Sequence, residues 1–436
     1  MRSIWQREVN KPDFPTLEGN ISTDVLIIGG GMTGVLCGHM LKRAGVDCVI
    51  VEARGICDGA TKNTTAKITA HHGAIFHDMI RRYGEERAAL YVKAHTDAIK
   101  QYADMARTVD CDYKETDSFV YSCTDRAKIE READALARLG YPVDFAERLP
   151  LPIHTVGAVV MRDQAQFHPL KFAYSLAKDL KIYENTEIVE VRDNVAIAKR
   201  GSIRANKIIV ATHFPFINKH GLYFLKMYQH RSHVLALENA PPVEGMYVDE
   251  SDSGLSFRGY NDLLLLGGGG HRTGKQGGGW QVLSAFAAKH YPEAKEVCRY
   301  AAQDCKSLDD IAYIGRYSPF TPSLFVATGF NKWGMTSAMV AANILTDLVQ
   351  DRDNEYAAVF SPSRRLWHKQ LLVNTGESLL GLLTPTAPRC SHLGCALKYN
   401  KQEHSWDCGC HGSRFAEDGR VIDNPAKKDI KPRRHK

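Results

Sequence analysis

The sequence predicts a mixed α/β protein that has a nucleotide-binding type of α/β unit at its start, a strand-rich middle and a small C-terminal segment. Three observations indicate this. A short apolar strand runs directly into a glycine-rich turn and a helix near residue 30, and strand patterns dominate from about residue 227 to 270. Four cysteines and three histidines crowd into residues 390 to 411. A chain of 436 residues is long enough for two or three domains.

Composition favours an ordinary globular protein, with 44% hydrophobic and 24% charged residues and a net charge of +6. No apolar run approaches the roughly 20 residues that a membrane span requires, and the N-terminus lacks a signal-peptide pattern, so we expect a cytoplasmic protein. Much of the positive charge lies in residues 427–436, which we interpret as a solvated end, with a docking strip for an acidic redox partner as the alternative. The absence of a basic groove pattern argues against nucleic acid.

The first chemical signature is G-x-G-x-x-G, formed by Gly29, Gly31 and Gly34 between a predicted strand at 24–28 and a helix. The first glycine permits a tight turn, the second lets backbone amides approach a pyrophosphate, and the third allows the helix to pack on the strand. Glu52 ends the next strand and can accept hydrogen bonds from ribose hydroxyls. The motif alone does not separate FAD from NAD. The other predicted contacts in this unit are Met32, Thr33, Ala53 and Arg54.

The remaining elements follow from periodicity and turn residues. Helices are predicted at about 76–107, 125–140 and 331–349. Strands are predicted at 47–53, 186–191, 206–213 and 323–330, and a hairpin turns at Asn261 and Asp262.

In their order along the chain, "DVLIIGGGMTGVLCGHMLKRAGVDCVIVEAR", "GATKNTTAKIT", "NKIIVATH" and "LFVATGFNKWGM" resemble the flavoprotein superfamily of D-amino acid, glycine and sarcosine oxidases. The resemblance implies a discontinuous, Rossmann-like FAD domain with an inserted antiparallel-sheet substrate domain. It implies that a loop after the second strand and the N-terminus of the last helix approach the flavin, where the helix dipole stabilises the anionic reduced ring. The implied contacts are Thr64, Thr65, Ala66, Lys67, Ala211, Thr212, Gly329, Phe330, Gly334 and Met335.

This resemblance also implies a division of the chain. The oxidoreductase part is expected at 1–360, with FAD-binding segments at about 20–75, 150–220 and 310–355. The substrate domain is expected at about 76–149 and 221–309, and a metal-binding segment, all-β and short enough to be truncated, at 361–436.

The terminal cluster reads Cys390-x-His392, then Cys408-x-x-His411. These residues satisfy the two-cysteine, two-histidine ligand set of a Rieske [2Fe–2S] centre, although a zinc site could use the same four ligands. "CSHLGC" and "CGCHGS" resemble the two cluster-binding loops of Rieske proteins of the bc-complex type. The resemblance implies a disulfide between Cys395 and Cys410 that ties the two loops together.

Three further positions bear on the resemblance. Ser413 matches a serine that hydrogen-bonds a bridging sulfur. Phe415 stands where high-potential members carry tyrosine, so we expect a potential below the top of the Rieske range. Gly409 replaces a proline, and the stretch before the first loop is short, so we expect the segment to lean on the rest of the chain. The whole arrangement resembles a bacterial family of FAD-dependent, Rieske-containing oxidoreductases.

The expected function is a FAD-dependent oxidoreductase that oxidises a small amine or amino-acid-like substrate and passes electrons through the cluster to a carrier protein or a quinone-type acceptor. The alternatives are an NAD(P)H-dependent reductase and a redox sensor without turnover. For the reductase, the only second glycine-rich signature is at 267–279, and we expect no helix after it. We assign no catalytic residue and leave oligomeric state open. His71, His72 and His213 are weak candidates for a base, and Cys57 is a candidate for covalent flavin attachment.

Overall fold

The computed structural model describes residues 2–7, 9–364, 373–374, 376–377, 381–385 and 388–431. The end of the basic tail and most of the short stretch before the first ligand loop lie outside these residues. Within the described part of the chain the strands form three sheets. The elements predicted from the sequence are present, with ends shifted by a few residues.

The first sheet is built around parallel strands that are apolar and buried, as both faces of the sheet are covered. Gly19–Ile28 lies between Gly201–Val210 and Cys48–Val51, and all three pairings that join these strands and Leu324–Thr328 are parallel. The remaining strands at its edges are Ile182–Tyr183, Ile188–Arg192, Val195–Ala198 and Tyr313–Arg316.

The second sheet is mostly antiparallel, with one parallel pairing between Met246–Asp249 and Lys114–Ser122. Its hairpin at Asn261, where φ is 49°, confirms the predicted turn. The strand at Gly157–Gln166 belongs to this sheet, although the expected division gives 150–220 to the FAD segments; the domain bounds remain a prediction. The full order across the sheet is Lys295–Ser307, Met227–Glu238, Leu263–Arg272, Ser256–Tyr260, Met246–Asp249, Lys114–Ser122, Gly157–Gln166 and Lys67–Ile68, with Asp144–Ala146 beside Gly157–Gln166.

Helices cover these two sheets. The predicted helix at 76–107 is two helices, because Gly84 has a φ of 83° and ends the first of them. The helices are Met32–Arg43, Phe76–Tyr83, Glu85–Ala106, Arg126–Arg138, Pro169–Ala177, Tyr223–Lys226, Gly279–His290, Gly334–Leu348 and Ala357–Phe360, with short 3₁₀ turns at Ile4–Gln6 and Ala60–Asn63. In the described residues no helix combines the length and apolar character needed to cross a membrane.

The third sheet is an antiparallel meander near the C-terminus. Its strands are Leu397–Asn400, Ser405–Cys408, Arg414–Ala416 and Val421–Asp423. Trp406 and Phe415 pack with the cysteines of the ligand loops in a small apolar core of their own. The predicted C-terminal sheet is therefore present, although residues 373–374, 376–377 and 381–383 are helical, so the segment is not all-β.

Candidate functional site

The glycine turn after the first strand is shaped by close backbone contacts. Gly29 has a φ of 113°, and a Cβ there would lie 2.5 Å from the carbonyl oxygen of Ala211. A Cβ on Gly34 would collide with the carbonyl of Gly29. Both positions therefore require glycine, and the turn brings the start of the helix at Met32 against the strand end at Ala211. Such a turn exposes backbone amides to an anionic ligand.

This turn opens into a cavity of about 1440 Å³, larger than the space that a single small ligand fills. Of the predicted FAD contacts, Gly34 and Ala66 lie behind its wall. The others border it: Gly29, Gly31, Met32, Thr33, Glu52, Ala53, Arg54, Thr64, Thr65, Lys67, Ala211, Thr212, Gly329, Phe330, Gly334 and Met335. The structure therefore gathers four distant parts of the chain around one cavity.

Glu52 was expected to accept hydrogen bonds from a ribose. Its carboxylate accepts from the backbone amides of Gly30, at 2.8 Å, and Arg54, at 3.0 Å. A carboxylate has further lone pairs, so this side chain retains the capacity to bind a hydroxyl at the cavity edge.

The loop at Thr64 to Lys67 is held from several sides. Ala66 has a φ of 54°, and its amide donates to Oγ1 of Thr64 at 2.9 Å. Trp5 Nε1 donates to the Thr64 carbonyl at 2.7 Å. Burial and the nearby Arg258 lower the pKa of the Lys67 ammonium to about 7. A non-glycine residue in the left-handed region is strained, and strain of this kind concentrates where a loop must approach a ligand.

The second approach to the cavity is the turn into the last long helix. Asn331 and Lys332 have φ values of 54° and 76°, and the Asn331 side chain holds the turn by accepting from Ser307 N at 2.8 Å and donating to Gly329 O at 2.8 Å. The helix begins at Gly334 without a side-chain cap, and Gly334 lines the cavity. Free amides at a helix N-terminus suit an anionic ring, so the residues present fit a flavin here.

The histidines considered as bases have mostly structural contacts. His72 is buried, stacks on Trp333 with ring centroids 4.9 Å apart, and is within 2.7 Å of both Tyr91 Oη and Thr69 O. His71 is also buried, and burial lowers the pKa of both rings. His213 is half-buried, and its buried Nε2 atom has no hydrogen-bond partner in the described residues. Cys57 lies at the cavity wall, where burial raises the pKa of its thiol.

The four predicted metal ligands lie on two loops that the third sheet presents together. Cys390, Cys408 and His411 are buried, and the rings of His392 and His411 are 5.1 Å apart. Within the described residues neither ring nitrogen of His411 has a hydrogen-bond partner, and His392 Nδ1 has none either. Buried imidazole nitrogens left unpaired are costly unless a ligand satisfies them, so this donor set fits a metal centre. Asn218 contacts the other nitrogen of His392 at 3.1 Å.

The predicted disulfide between Cys395 and Cys410 is not formed in the structure. Both are free thiols, and together with Cys408 they form a group whose Sγ atoms lie within 4.8 Å of one another. A disulfide requires about 2.05 Å between the sulfurs. The Cys410 thiol instead lies 3.5 Å from the carbonyl oxygen of Glu377. The prediction of a covalent staple is therefore wrong for this structure.

The glycine-rich run at 267–279 has a role that sequence reasoning missed. A helix does follow it, at Gly279–His290, contrary to expectation. Two of its glycines, however, face the C-terminal segment, because Cβ atoms on Gly274 and Gly279 would collide with Gly409 and Gln402. The run therefore lets two backbones approach closely, which is a second reason for glycine beyond phosphate binding. The one sequence feature that could have indicated this contact is Gly409, which replaces a proline in the second ligand loop.

Two glutamines of the second sheet hold the second ligand loop. Gln229 Nε2 donates to the carbonyl oxygen of His411 at 3.1 Å, and Gln303 Nε2 donates to that of Gly412 at 2.9 Å. The glutamines are bonded to each other at 2.7 Å. Nothing in the sequence pattern singled them out, because they are polar residues at ordinary strand positions.

A buried ion network extends this contact. Glu403 contacts Arg231 of the second sheet and Arg414 of the third, and Arg414 also bonds Asp407 at 3.0 Å. These four side chains are at most 7% exposed. Although burial alone would raise it, the pKa of Glu403 is held well below its usual range by Arg231, His233 and Arg414.

The C-terminal segment also reaches the cavity directly. Asn424 Nδ2 donates to Thr212 O at 2.7 Å, and the Asn424 carbonyl accepts from Gln229 at 2.9 Å. Lys427 donates to Ile188 O at 3.0 Å and lies over the ring of Phe216. Residues of the C-terminal segment thus form part of the cavity wall.

Comparisons with known proteins agree with this geometry. Residues 24–348 match the FAD dependent oxidoreductase family (DAO), and residues 352–433 match the Rieske [2Fe-2S] domain. The Rieske 2Fe-2S iron-sulfur protein YhfW of Bacillus subtilis is 34% identical over 98% of this chain and 97% of its own length. The gamma-glutamylputrescine oxidoreductase of Escherichia coli is 24% identical over 48% of this chain and 53% of its own length.

Among solved structures, glycine oxidase from Geobacillus kaustophilus superposes with a TM-score of 0.66 at 19% identity, covering 79% of this chain and all of that one. At this identity the likeness shows the fold. The Rieske match decides between the two metal centres that the ligand set had left open. The chain therefore belongs to the FAD dependent oxidoreductase family, and it is an enzyme that binds FAD and, in a C-terminal Rieske domain, a [2Fe–2S] cluster.

Proposed function

We propose that this enzyme oxidises the C–N bond of a small amine or amino-acid-like substrate and passes the electrons through its Rieske cluster to an external carrier. The family match supports an oxidoreductase, and relatives named for gamma-glutamylputrescine and glycine support the bond type. A flavin takes two electrons from a substrate, whereas a Rieske cluster passes one at a time, so an attached cluster favours a carrier over direct use of oxygen.

The observation that carries the proposal is the contact between the second ligand loop and the walls of the cavity. The carbonyl of His411 is one hydrogen bond from Gln229, and Gln229 shares Asn424 with Thr212, which borders the cavity. A cluster domain that only bound a partner would not need to be built into the cavity wall. The short bonded connection supports exchange of electrons within one chain.

The chain's own residues prepare the substrate end. The turn at Asn331 positions the helix N-terminus, and the stacked pair of Trp333 and His72 closes one side of the cavity. Hydride transfer from an amine requires its neutral form, and a buried cavity disfavours the cation. We therefore assign no dedicated base, in keeping with the fully bonded ring of His72.

Anaerobic mixing of the holoenzyme with a library of amines, with NADH and with NADPH tests the proposal. Bleaching of the flavin absorbance by an amine, followed by appearance of the EPR signal of the reduced cluster, is the expected result. Bleaching by a nicotinamide alone would replace the proposal with an NAD(P)H-dependent reductase. A flavin that no reductant of either class bleaches would instead favour a redox sensor.

The acceptor is tested separately. We expect the reduced enzyme to be reoxidised faster by a small redox protein or by a water-soluble quinone than by dissolved oxygen. If oxygen reoxidises a variant without the cluster at least as fast as the carriers reoxidise the intact enzyme, the cluster does not carry the electrons out.

A further inference from the structure

One side of the cavity, next to the turn at Asn331, contains a group of charged side chains that the proposed chemistry does not use. We name it the charged pocket and define it as Asp252, Asp304, Lys306 and Lys332, all of which line the cavity. Its position is fixed by the backbone, since Asn331 N donates to Cys305 O at 3.0 Å. This bond places Asp304 beside the turn that leads to Gly334.

The two lysines of the charged pocket share one carboxylate. Lys306 Nζ lies 2.7 Å from Asp252 Oδ1. Lys332 Nζ lies 3.7 Å from the same oxygen and donates to the Asp252 backbone carbonyl at 3.2 Å. Asp252 therefore contacts both ammonium groups within 4 Å.

Asp304 differs from the nearby carboxylates that have a charged partner. Asp252 is paired with the two lysines, Glu250 with Lys128, and Asp309 with Arg364 at 2.7 Å. Among the described residues, no group forms a hydrogen bond or ion pair with the Asp304 side chain, which is half-buried and lines the cavity. Burial raises its pKa despite the attraction of Lys332 and of other cations. A half-buried carboxylate without a partner is only partly solvated, and a cationic ligand would offset that cost.

We propose that Asp304 is a specificity-determining residue that binds a cationic group of the substrate, which makes the substrate an amine with a second basic nitrogen. This inference rests on the proposed oxidation of an amine. The group that Asp304 binds is not the reacting nitrogen, because a carboxylate favours the ammonium form whereas hydride transfer requires the neutral amine. Asp304 therefore fixes the non-reacting end of the substrate.

The test measures binding without turnover. The holoenzyme is first reduced anaerobically, so that it cannot oxidise a ligand, and is then titrated calorimetrically with 1,4-diaminobutane, butylamine and butyrate. We expect the diamine to bind about tenfold more tightly than butylamine, as one charge-assisted contact would give, and butyrate to bind most weakly. Tighter binding of butyrate than of the diamine would overturn the proposal.

Asp304→Asn keeps the shape of the side chain and removes its charge. We expect this variant to lose the tenfold preference for the diamine over butylamine. A preference that survives in Asp304→Asn would overturn the proposal.

Asp310→Asn is the matched control, because Asp310 is another cavity carboxylate without a hydrogen-bond or ion-pair partner in the described residues. The substitution removes one carboxylate charge, six positions after Asp304. We expect it to keep the preference; a loss equal to that in Asp304→Asn would show that the general field of the cavity, not the Asp304 contact, selects the ligand. Because the enzyme is reduced throughout, failure to find an amine that bleaches the flavin leaves this test unaffected.

Discussion

The FAD unit at residues 24–54 and the Rieske domain at the C-terminus both begin from short motifs, yet they depend differently on the rest of the chain. In the FAD unit, strand, glycine turn, helix and second strand are consecutive, and their close packing is largely local. In the Rieske domain each ligand loop is a short continuous stretch of sequence. The residues that support the domain belong to the second sheet and are Gln229, Gln303 and Arg231. A short motif therefore indicates a cofactor site but does not show which residues hold the loops of that site in place.

The largest effect is expected from Cys408→Ser, which removes one ligand from the cluster. Because two cysteines and two histidines are all needed for the two irons, we expect complete loss of the cluster, measured as iron content and EPR signal, with FAD content unchanged. Cys123→Ser, at an exposed cysteine outside the two ligand loops, is the control. Simultaneous loss of FAD would show that the two regions do not bind their cofactors separately.

Gly29→Ala and Gly274→Ala both test the effect of a Cβ atom where two backbone segments lie close together, one in each region. At Gly29 a Cβ would meet Ala211 O at 2.5 Å with an unfavourable φ, and we expect FAD affinity to fall about 100-fold while the cluster stays. At Gly274 a Cβ would collide with Gly409, so we expect faster proteolysis of the C-terminal domain while FAD stays. Fluorescence titration with FAD and timed limited proteolysis measure the two effects.

Gly45→Ala is the matched control for Gly274→Ala, because Gly45 has a φ of 75° against 76° at Gly274 but nothing within 4 Å of a Cβ. It separates backbone strain from collision. If Gly45→Ala and Gly274→Ala expose the C-terminal domain equally, the close approach to Gly409 is not what holds the domain.

Glu403→Gln should break the ion network between the two sheets. Removing the Glu403 charge leaves Arg231 with only a long contact of 3.9 Å to Asp423. We therefore expect a loss of about 3 kcal/mol in the free energy of unfolding of the C-terminal domain, measured by denaturant titration. Glu417→Gln, at an exposed carboxylate, should change it by less than about 0.5 kcal/mol.

The depressed pKa of Glu403 predicts that the stability of the protein depends on pH. The pKa of Glu403 is depressed in the folded protein, so its contribution is present above the ordinary glutamate pKa of about 4.3 and is lost as the pH falls below it. Below about pH 4, we expect the free energy of unfolding of the wild-type protein to fall more steeply with decreasing pH than that of Glu403→Gln. Parallel curves for the two proteins would contradict the assignment.

Phe415→Tyr has the smallest expected effect. Phe415 is fully buried in the core of the Rieske domain, and a hydroxyl there would add a donor near the ligand cysteines. One hydrogen bond of about 1 kcal/mol to the reduced cluster would raise its potential by about 40 mV, measured by EPR-monitored redox titration. Tyr399→Phe removes a hydroxyl elsewhere in the same domain and should leave the potential unchanged. A lower potential in Phe415→Tyr would contradict the expectation.

Much of the fold could be predicted because the signals are local. Apolar strands and glycine turns repeat at short range, so the unit at 24–54, the hairpin at Asn261 and the helix at 334–348 were all found. The break at Gly84 was missed because the apolar pattern runs through it, and one glycine in a helical pattern is ambiguous.

For the site, the residues found and those missed differ in how far apart their partners lie. The ligand set and the glycine turn each occur within a few tens of residues, so spacing alone exposed them. Gln229, Glu403 and Asp304 were missed because their meaning depends on groups that lie nearby only in the folded chain, or on the absence of such groups. The disulfide between Cys395 and Cys410 was implied by resemblance and is absent from the structure.

By itself, the sequence determined the kinds of site that this protein contains, a nucleotide-binding turn and a two-cysteine, two-histidine ligand set, because each is a property of a few side chains on one or two loops. Only the tertiary structure decided where the Rieske domain sits, why Gly274 and Gly279 are glycine, and which cavity carboxylates lack a partner. These features depend on contacts between residues more than 100 positions apart in the chain. The free energy of such contacts is set by burial and by the close approach of two backbones, which no local sequence pattern shows.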